Sequence, residues 1–105
     1  MSFPISSGLL DAVVLSVLEQ EDAYGYRITN LVRSRLDISE STLYPVLRRL
    51  EAADCLSVYS VEHNSRLRKY YAITDTGRQR IADFLKEWEE VNRVYDFIVE
   101  VNRRA

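Results

Sequence analysis

The apolar residues of this chain change their period twice, and that alone leaves few folds open. Up to about residue 52 the spacing is helical, between 56 and 73 it gives way to runs dense in β-branched and aromatic residues, and from 74 onward it is helical again. Residues 6–20 place Leu9, Leu10, Val13, Val14, Val17 and Leu18 on helical spacing behind serine caps at Ser6 and Ser7. "EQEDAYG" ends that pattern, and a second helix over 24–35 carries Ile28, Leu31 and Val32 as its buried stripe. A third helix opens at Ser39, a good N-cap, with the negative charge of Glu40 in its first turn. Leu43, Val46, Leu47 and Leu50 take one side of it. Ser41, Tyr44, Pro45 and Arg48 take the other, flanked by Thr42 and Arg49.

"LSVYSVE" and "RKYYAIT", separated by "HNSRL", predict a two-stranded hairpin over 56–62 and 68–73. Tyr70 and Tyr71 fall on opposite faces of their strand, so at least one packs inward with Ile73. Thr74 then caps a last helix that has Asp75 in its first turn. Ile81, Trp88 and Tyr95 recur seven apart, Phe84, Val91 and Ile98 fall between them, and Leu85, Val94, Val99 and Val101 widen the stripe. A helix of about 30 residues is roughly 45 Å long, more than a domain of this size covers. A second copy is the simplest cover, which predicts a homodimer joined through Ile81, Phe84, Trp88, Val91, Tyr95 and Ile98. The expected fold is mostly α with a small β-hairpin. It is a winged helix-turn-helix over 1–73, followed by one long C-terminal dimerisation helix over 74–105.

Composition closes several routes. One cysteine, Cys55, and one histidine, His63, exclude an internal disulfide and a Cys/His metal site. The three glycines, at 8, 25 and 77, lie too far apart for a phosphate loop, and no nucleophile has an evident histidine partner. Neither catalysis nor a cofactor is expected. No apolar run reaches the ~20 residues that span a bilayer, and "MSFPISSGLL" lacks the basic flank of a secretory signal. The expected place is the cytoplasm, with no membrane partner. The net charge of −2 is unevenly spread. Residues 23–50 carry five arginines against Asp37 and Glu40, or +3, and residues 62–69 carry +2, which leaves −7 for the remainder.

"YGYRI" (24–28), "SESTLYPVLRRLE" (39–51) and "RKYYAITDTG" (68–77) together resemble the PadR family of bacterial transcriptional regulators, over nearly the whole chain. The single helix after the wing is similar to the family's compact subgroup, whose members form dimers and include multidrug-responsive repressors. The resemblance implies a double-stranded DNA operator as partner. Ser41, Thr42, Tyr44, Pro45, Arg48 and Arg49 would face the major groove. Arg66, Arg68 and Lys69 on the wing would meet phosphate or the neighbouring minor groove, and one of Tyr24 and Tyr26, with Arg27, would meet phosphate at the second helix. It also implies a small, flat aromatic ligand stacked on Trp88 at the dimer centre, beside Phe84, Val91, Tyr95 and Asp96. The other class of function open to such a fold is a protein-docking module that never touches DNA. Two positions depart from the family pattern. Cys55 stands where glycine is usual, so Asp54 or Cys55 must take a left-handed conformation or the turn must differ. The wing tip "EHNSRLRK" has no glycine, which leaves Asn64 as the best residue for positive φ.

Overall fold

The computed structural model describes residues 7–104. Its elements are α1 (Ser7–Gln20), β1 (Ala23–Tyr24), α2 (Gly25–Arg33), α3 (Glu40–Ala52), β2 (Leu56–His63), β3 (Arg66–Ile73) and α4 (Asp75–Arg104). The serine cap expected at Ser6 lies outside the described residues, and Ser7 is already helical. This is the winged-helix arrangement, with one addition: β1 pairs with β3, which makes a three-stranded antiparallel sheet of order β1-β3-β2. Two residues are too few to show a period, so nothing in the pattern of "EDAYG" announces a strand. Tyr24 therefore precedes α2 in extended conformation (φ −85°, ψ 163°) rather than opening it.

α1 is buried on most of its circumference. Leu10, Ala12, Val14, Leu15 and Leu18 join the core with Ile28 and Val32 of α2, Leu43, Val46, Leu47 and Leu50 of α3, and Leu56 and Tyr71 of the sheet. Leu31 is only half-buried, and Thr29 is buried in its place, its hydroxyl without a hydrogen-bond partner among the described residues. α3 has the two faces its sequence predicts. Ser39 stands at the N-cap, but its hydroxyl does not cap the backbone. It pairs with the hydroxyls of Thr42 (2.7 Å) and Ser41 (3.2 Å), while the amide of Thr42 donates to the Ser39 carbonyl at 3.1 Å.

The exit from α3 answers the glycine question. The Cys55 amide donates to the Leu50 carbonyl (2.9 Å) and the Asp54 amide to that of Glu51 (3.0 Å), the paired bonds of a Schellman motif. The left-handed residue is Asp54, at φ 65°, and not Cys55. Cys55 is the following position, which in this motif packs back on the helix. Its thiol is accordingly fully buried, beside Leu50. Thr74 clamps the same corner: its hydroxyl donates to the Asp54 carbonyl (2.7 Å) and accepts from the Gly77 amide (3.1 Å), capping α4. Gly77 must be glycine for closeness, since a Cβ there would lie 2.5 Å from the Cys55 carbonyl oxygen. From this corner α4 runs 30 residues and carries the molecule to 64 Å in its longest dimension, against 30 and 20 Å across.

Two substitutions test this corner by urea unfolding at fixed protein concentration. Gly77→Ala is expected to cost about 1–3 kcal/mol, since backbone must move to admit the methyl group. Asp54→Gly is expected to gain about 0.5–1 kcal/mol by removing the left-handed strain, net of the added freedom of the unfolded chain.

Candidate nucleic-acid interface

The outer face of α3 lies open. Ser41, Thr42, Tyr44, Pro45 and Arg48 are exposed, and Arg48 makes no ion pair among the described residues. Pro45 lacks an N–H and leaves the Ser41 carbonyl without its helical donor on this same exposed face. Tyr44 leans across the start of α2: a Cβ on Gly25 would stand 3.3 Å from its Cε1, so glycine there lets the two helices close up. Arg49, next in sequence, points elsewhere. Its guanidinium is hydrogen-bonded to the carboxylate of Asp11, which is 7% exposed and also receives Arg80 of α4 at 3.4 Å. A carboxylate this deep needs such partners, so Arg49 braces three helices rather than standing free beside Arg48. Asp11 escaped the sequence reading, although one acidic residue inside the apolar stripe of a buried helix is a visible signal.

The wing ends in a two-residue turn, Asn64 and Ser65, at φ 51° and 64°. Positive φ at both positions matches a type I′ hairpin, whose twist suits the flanking strands. Asn64 does stand in for the missing glycine, with Ser65 as an unforeseen second. The strands are longer than the sequence suggests, in register from Leu56 opposite Ile73 to His63 opposite Arg66. Alternation along β3 divides the wing's basic residues between two faces. Tyr71 points into the core and Lys69 shares its side, pairing with Glu51 of α3 at 3.5 Å. Arg66 is exposed, and Arg68 lies over the Tyr24 ring on the opposite face, 4.5 Å from its centroid. Tyr70 belongs to that face as well, between Tyr24 and Tyr59. The Tyr59 hydroxyl donates to Asp22 at 2.7 Å; this bond, first among the causes, holds the Tyr59 phenol above its ordinary pKa.

At the start of α2, Tyr26 is 59% exposed and Arg27 pairs with Glu21 at 2.8 Å. The outer face of α3 thus adjoins the start of α2 through Tyr44, and the wing adjoins it through Arg68 on Tyr24, while Arg49 and Lys69 are held by carboxylates of α1 and α3.

α4 behaves differently. Ile81 and Phe84 are half-buried against the body, with Phe84 lining a groove of about 420 Å³ between α1, the end of α2 and α4. Beyond that point the heptad residues are largely uncovered by the described residues. Trp88 is 39% exposed, Tyr95 62% and Ile98 51%, and Val91, Leu85, Val94 and Val101 are open as well. The rings of Phe84 and Trp88 stack at 5.5 Å and 23°. Val91, Tyr95 and the exposed Asp96 lie farther along, so the described residues of one chain do not enclose Trp88. Among the described residues there is no cluster of metal-ligating side chains, and no helix is long and apolar enough to cross a membrane.

Comparison with known proteins agrees with this layout. The sequence model of the transcriptional regulator PadR-like family matches residues 14–83. A protein of Streptococcus mutans is 41% identical, with a TM-score of 0.82, over 95% of this chain and 94% of its own. A PadR family transcription regulator from Clostridium difficile is 30% identical, with a TM-score of 0.77, over 86% and 97%. Bacillus subtilis PadR, solved in complex with operator DNA, shares the fold at a TM-score of 0.67 and 24% identity, over 73% of this chain and 46% of its own.

The different settings of the two adjacent arginines are separable by stability alone. Arg49→Ala is expected to lower the free energy of unfolding by about 1–2 kcal/mol, because Asp11 loses a charged donor while keeping Arg80. Arg48→Ala, on the open face, is expected to change it by less than about 0.5 kcal/mol.

Proposed function

The chain belongs to the PadR-like family of transcriptional regulators, and from that membership we propose that it is a homodimeric, sequence-specific DNA-binding repressor acting in the cytoplasm. In this reading residues 1–73 are the DNA-binding unit and 74–105 the dimerisation helix. Each copy lays α3 in a major groove, with half-sites roughly 10 bp apart or a multiple of that. The observation that carries the reading is the open face of α3. Arg48, which no carboxylate among the described residues neutralises, stands there with the exposed hydroxyls of Ser41, Thr42 and Tyr44. Arg48 supplies bidentate donors for a guanine edge, and Ser41, Thr42 and Tyr44 supply hydroxyls for bases or phosphates. Arg66 and Tyr26 have the exposure that phosphate contact needs, Arg68 is half-buried over the Tyr24 ring with no carboxylate partner among the described residues, and Arg27 becomes available once it leaves Glu21. Arg49 and Lys69 act at one remove, by fixing α3 and the wing. The operator-bound Bacillus subtilis protein supports the reading through the fold it shares.

Dimerisation follows from the ridge on α4. Ile81, Phe84, Trp88, Val91, Tyr95 and Ile98 form an apolar seam too long and too exposed for a lone chain in water, and a second copy offers the same seam in return. Between two such helices, the stacked Phe84 and Trp88 with Val91, Tyr95 and Asp96 would form an aromatic slot carrying one negative charge per copy. That slot suits a flat aromatic cation. Ligand in the slot would favour a dimer whose two α3 helices no longer match the operator, which is how a binding energy becomes a regulatory one.

Binding to operator-length duplexes across a salt series tests the first claim. Affinity is expected to fall about a thousandfold or more between 50 and 200 mM salt, and Arg48→Ala is expected to cost about 1–3 kcal/mol at the preferred site. No binding even at low salt would identify a protein-docking module instead. For the ligand, fluorescence of the sole tryptophan is the direct probe. Planar aromatic cations are expected to quench Trp88, and unchanged emission at saturating concentrations would remove that ligand class.

A further inference from the structure

The three strands carry a row of tyrosines on the face turned away from the core. Tyr24 of β1 and Tyr59 of β2 both sit directly opposite Tyr70 of β3. Ring centroids are 5.6 Å apart for Tyr24 and Tyr70 and 5.7 Å for Tyr59 and Tyr70, within the range of favourable aromatic pairs. The Tyr59 hydroxyl closes the row onto Asp22, just before β1. Arg68, two residues before Tyr70 and on the same face, reaches Tyr24 on the diagonal and lies over its ring.

How Arg68 is held differs from its neighbours. Arg27, Arg49, Lys69 and Arg78 are each paired with a carboxylate. A carboxylate takes up the in-plane donors of a guanidinium and cancels its charge. An aromatic ring takes only the flat face, which leaves the charge intact and the N–H fork free to meet another anion.

We propose that Tyr24 is a positioning residue for DNA binding: it holds the Arg68 guanidinium over its ring at the junction of the wing and α2, with no carboxylate among the described residues taking up the donors that a backbone phosphate would use. The proposal rests on the DNA-binding reading above and adds to it the division of labour between the two residues. Tyr24 orders the arginine before DNA arrives, so less side-chain freedom is lost on binding, and Tyr70 and Tyr59 fix the Tyr24 ring in turn.

A double-mutant cycle read by DNA affinity and salt slope, with thermal melting as the control for folding, tests this. Arg68→Ala is expected to weaken binding and to reduce the slope of log affinity against log salt by about one, the loss of one phosphate contact. Tyr24→Met keeps an apolar side chain but no ring face. It is expected to weaken binding about two- to fivefold with the slope unchanged, and to have no effect in the Arg68→Ala background. Tyr24→Phe is expected to bind as the unsubstituted protein does. Arg68→Lys, which leaves every ring in place but lacks the planar fork, is expected to bind at least about twofold more weakly. Equal losses for Tyr24→Met in both backgrounds, or unaltered binding by Tyr24→Met, Arg68→Ala or Arg68→Lys, would overturn the proposal while the DNA-binding reading stood. Failure of the unsubstituted protein to bind DNA at low salt would overturn both.

Discussion

Burial of α1 is the constraint on which the other elements depend. One short helix, with Val14 and Leu15 fully enclosed, is the surface against which α2, α3, α4 and β3 all pack. Hydrophobic burial has no direction of its own, so the angles between those elements are set by the polar groups at its edges. Asp11 does this between helices, holding Arg49 of α3 and Arg80 of α4 to one carboxylate. Thr74 and Gly77 do it at the corner, where backbone meets backbone and no side chain fits. The direction in which α4 leaves the body is therefore fixed by the same contacts that fix α3.

Charge is sorted by the same architecture. The acidic surplus outside the two basic segments is not simply turned away from them. Asp11 and Glu19 of α1, Glu21 after it and Glu51 of α3 each take a basic partner, at Arg49, Arg78, Arg27 and Lys69. Arg48 and Arg66 are left without a carboxylate among the described residues, and Arg68 lies on a ring. A chain of net charge −2 thereby keeps unneutralised arginines on the outer face of α3 and on the wing. The proposed partner meets that local field and not the sum.

Much of this was legible in the sequence because burial imposes periods. The two faces of α3, the hairpin, the Thr74 cap and the length of α4 all follow from spacing, and all are present. What stayed hidden is what period cannot encode. β1 is two residues long and exists only because Tyr70 and Tyr71 offer it an edge. Arg48 and Arg49 look alike on a helical projection, and only the depth of Asp11 separates them. The pattern left the left-handed position open between Asp54 and Cys55, and only the backbone shows that Asp54 takes it while Cys55 is the packed residue of the motif. Tyr59 joined the aromatic row through strand register, which no single strand discloses.

The central claim is that two copies, joined along α4, present two α3 helices to one face of a DNA duplex. Hydroxyl-radical footprinting on a bound operator measures that arrangement directly. The account predicts two protected patches on the same face of the helix, separated by about 10 bp or a multiple of it, and flanked by protection from the wings. A single patch of half-site length at saturating protein, or uniform protection with no preferred position, would contradict it.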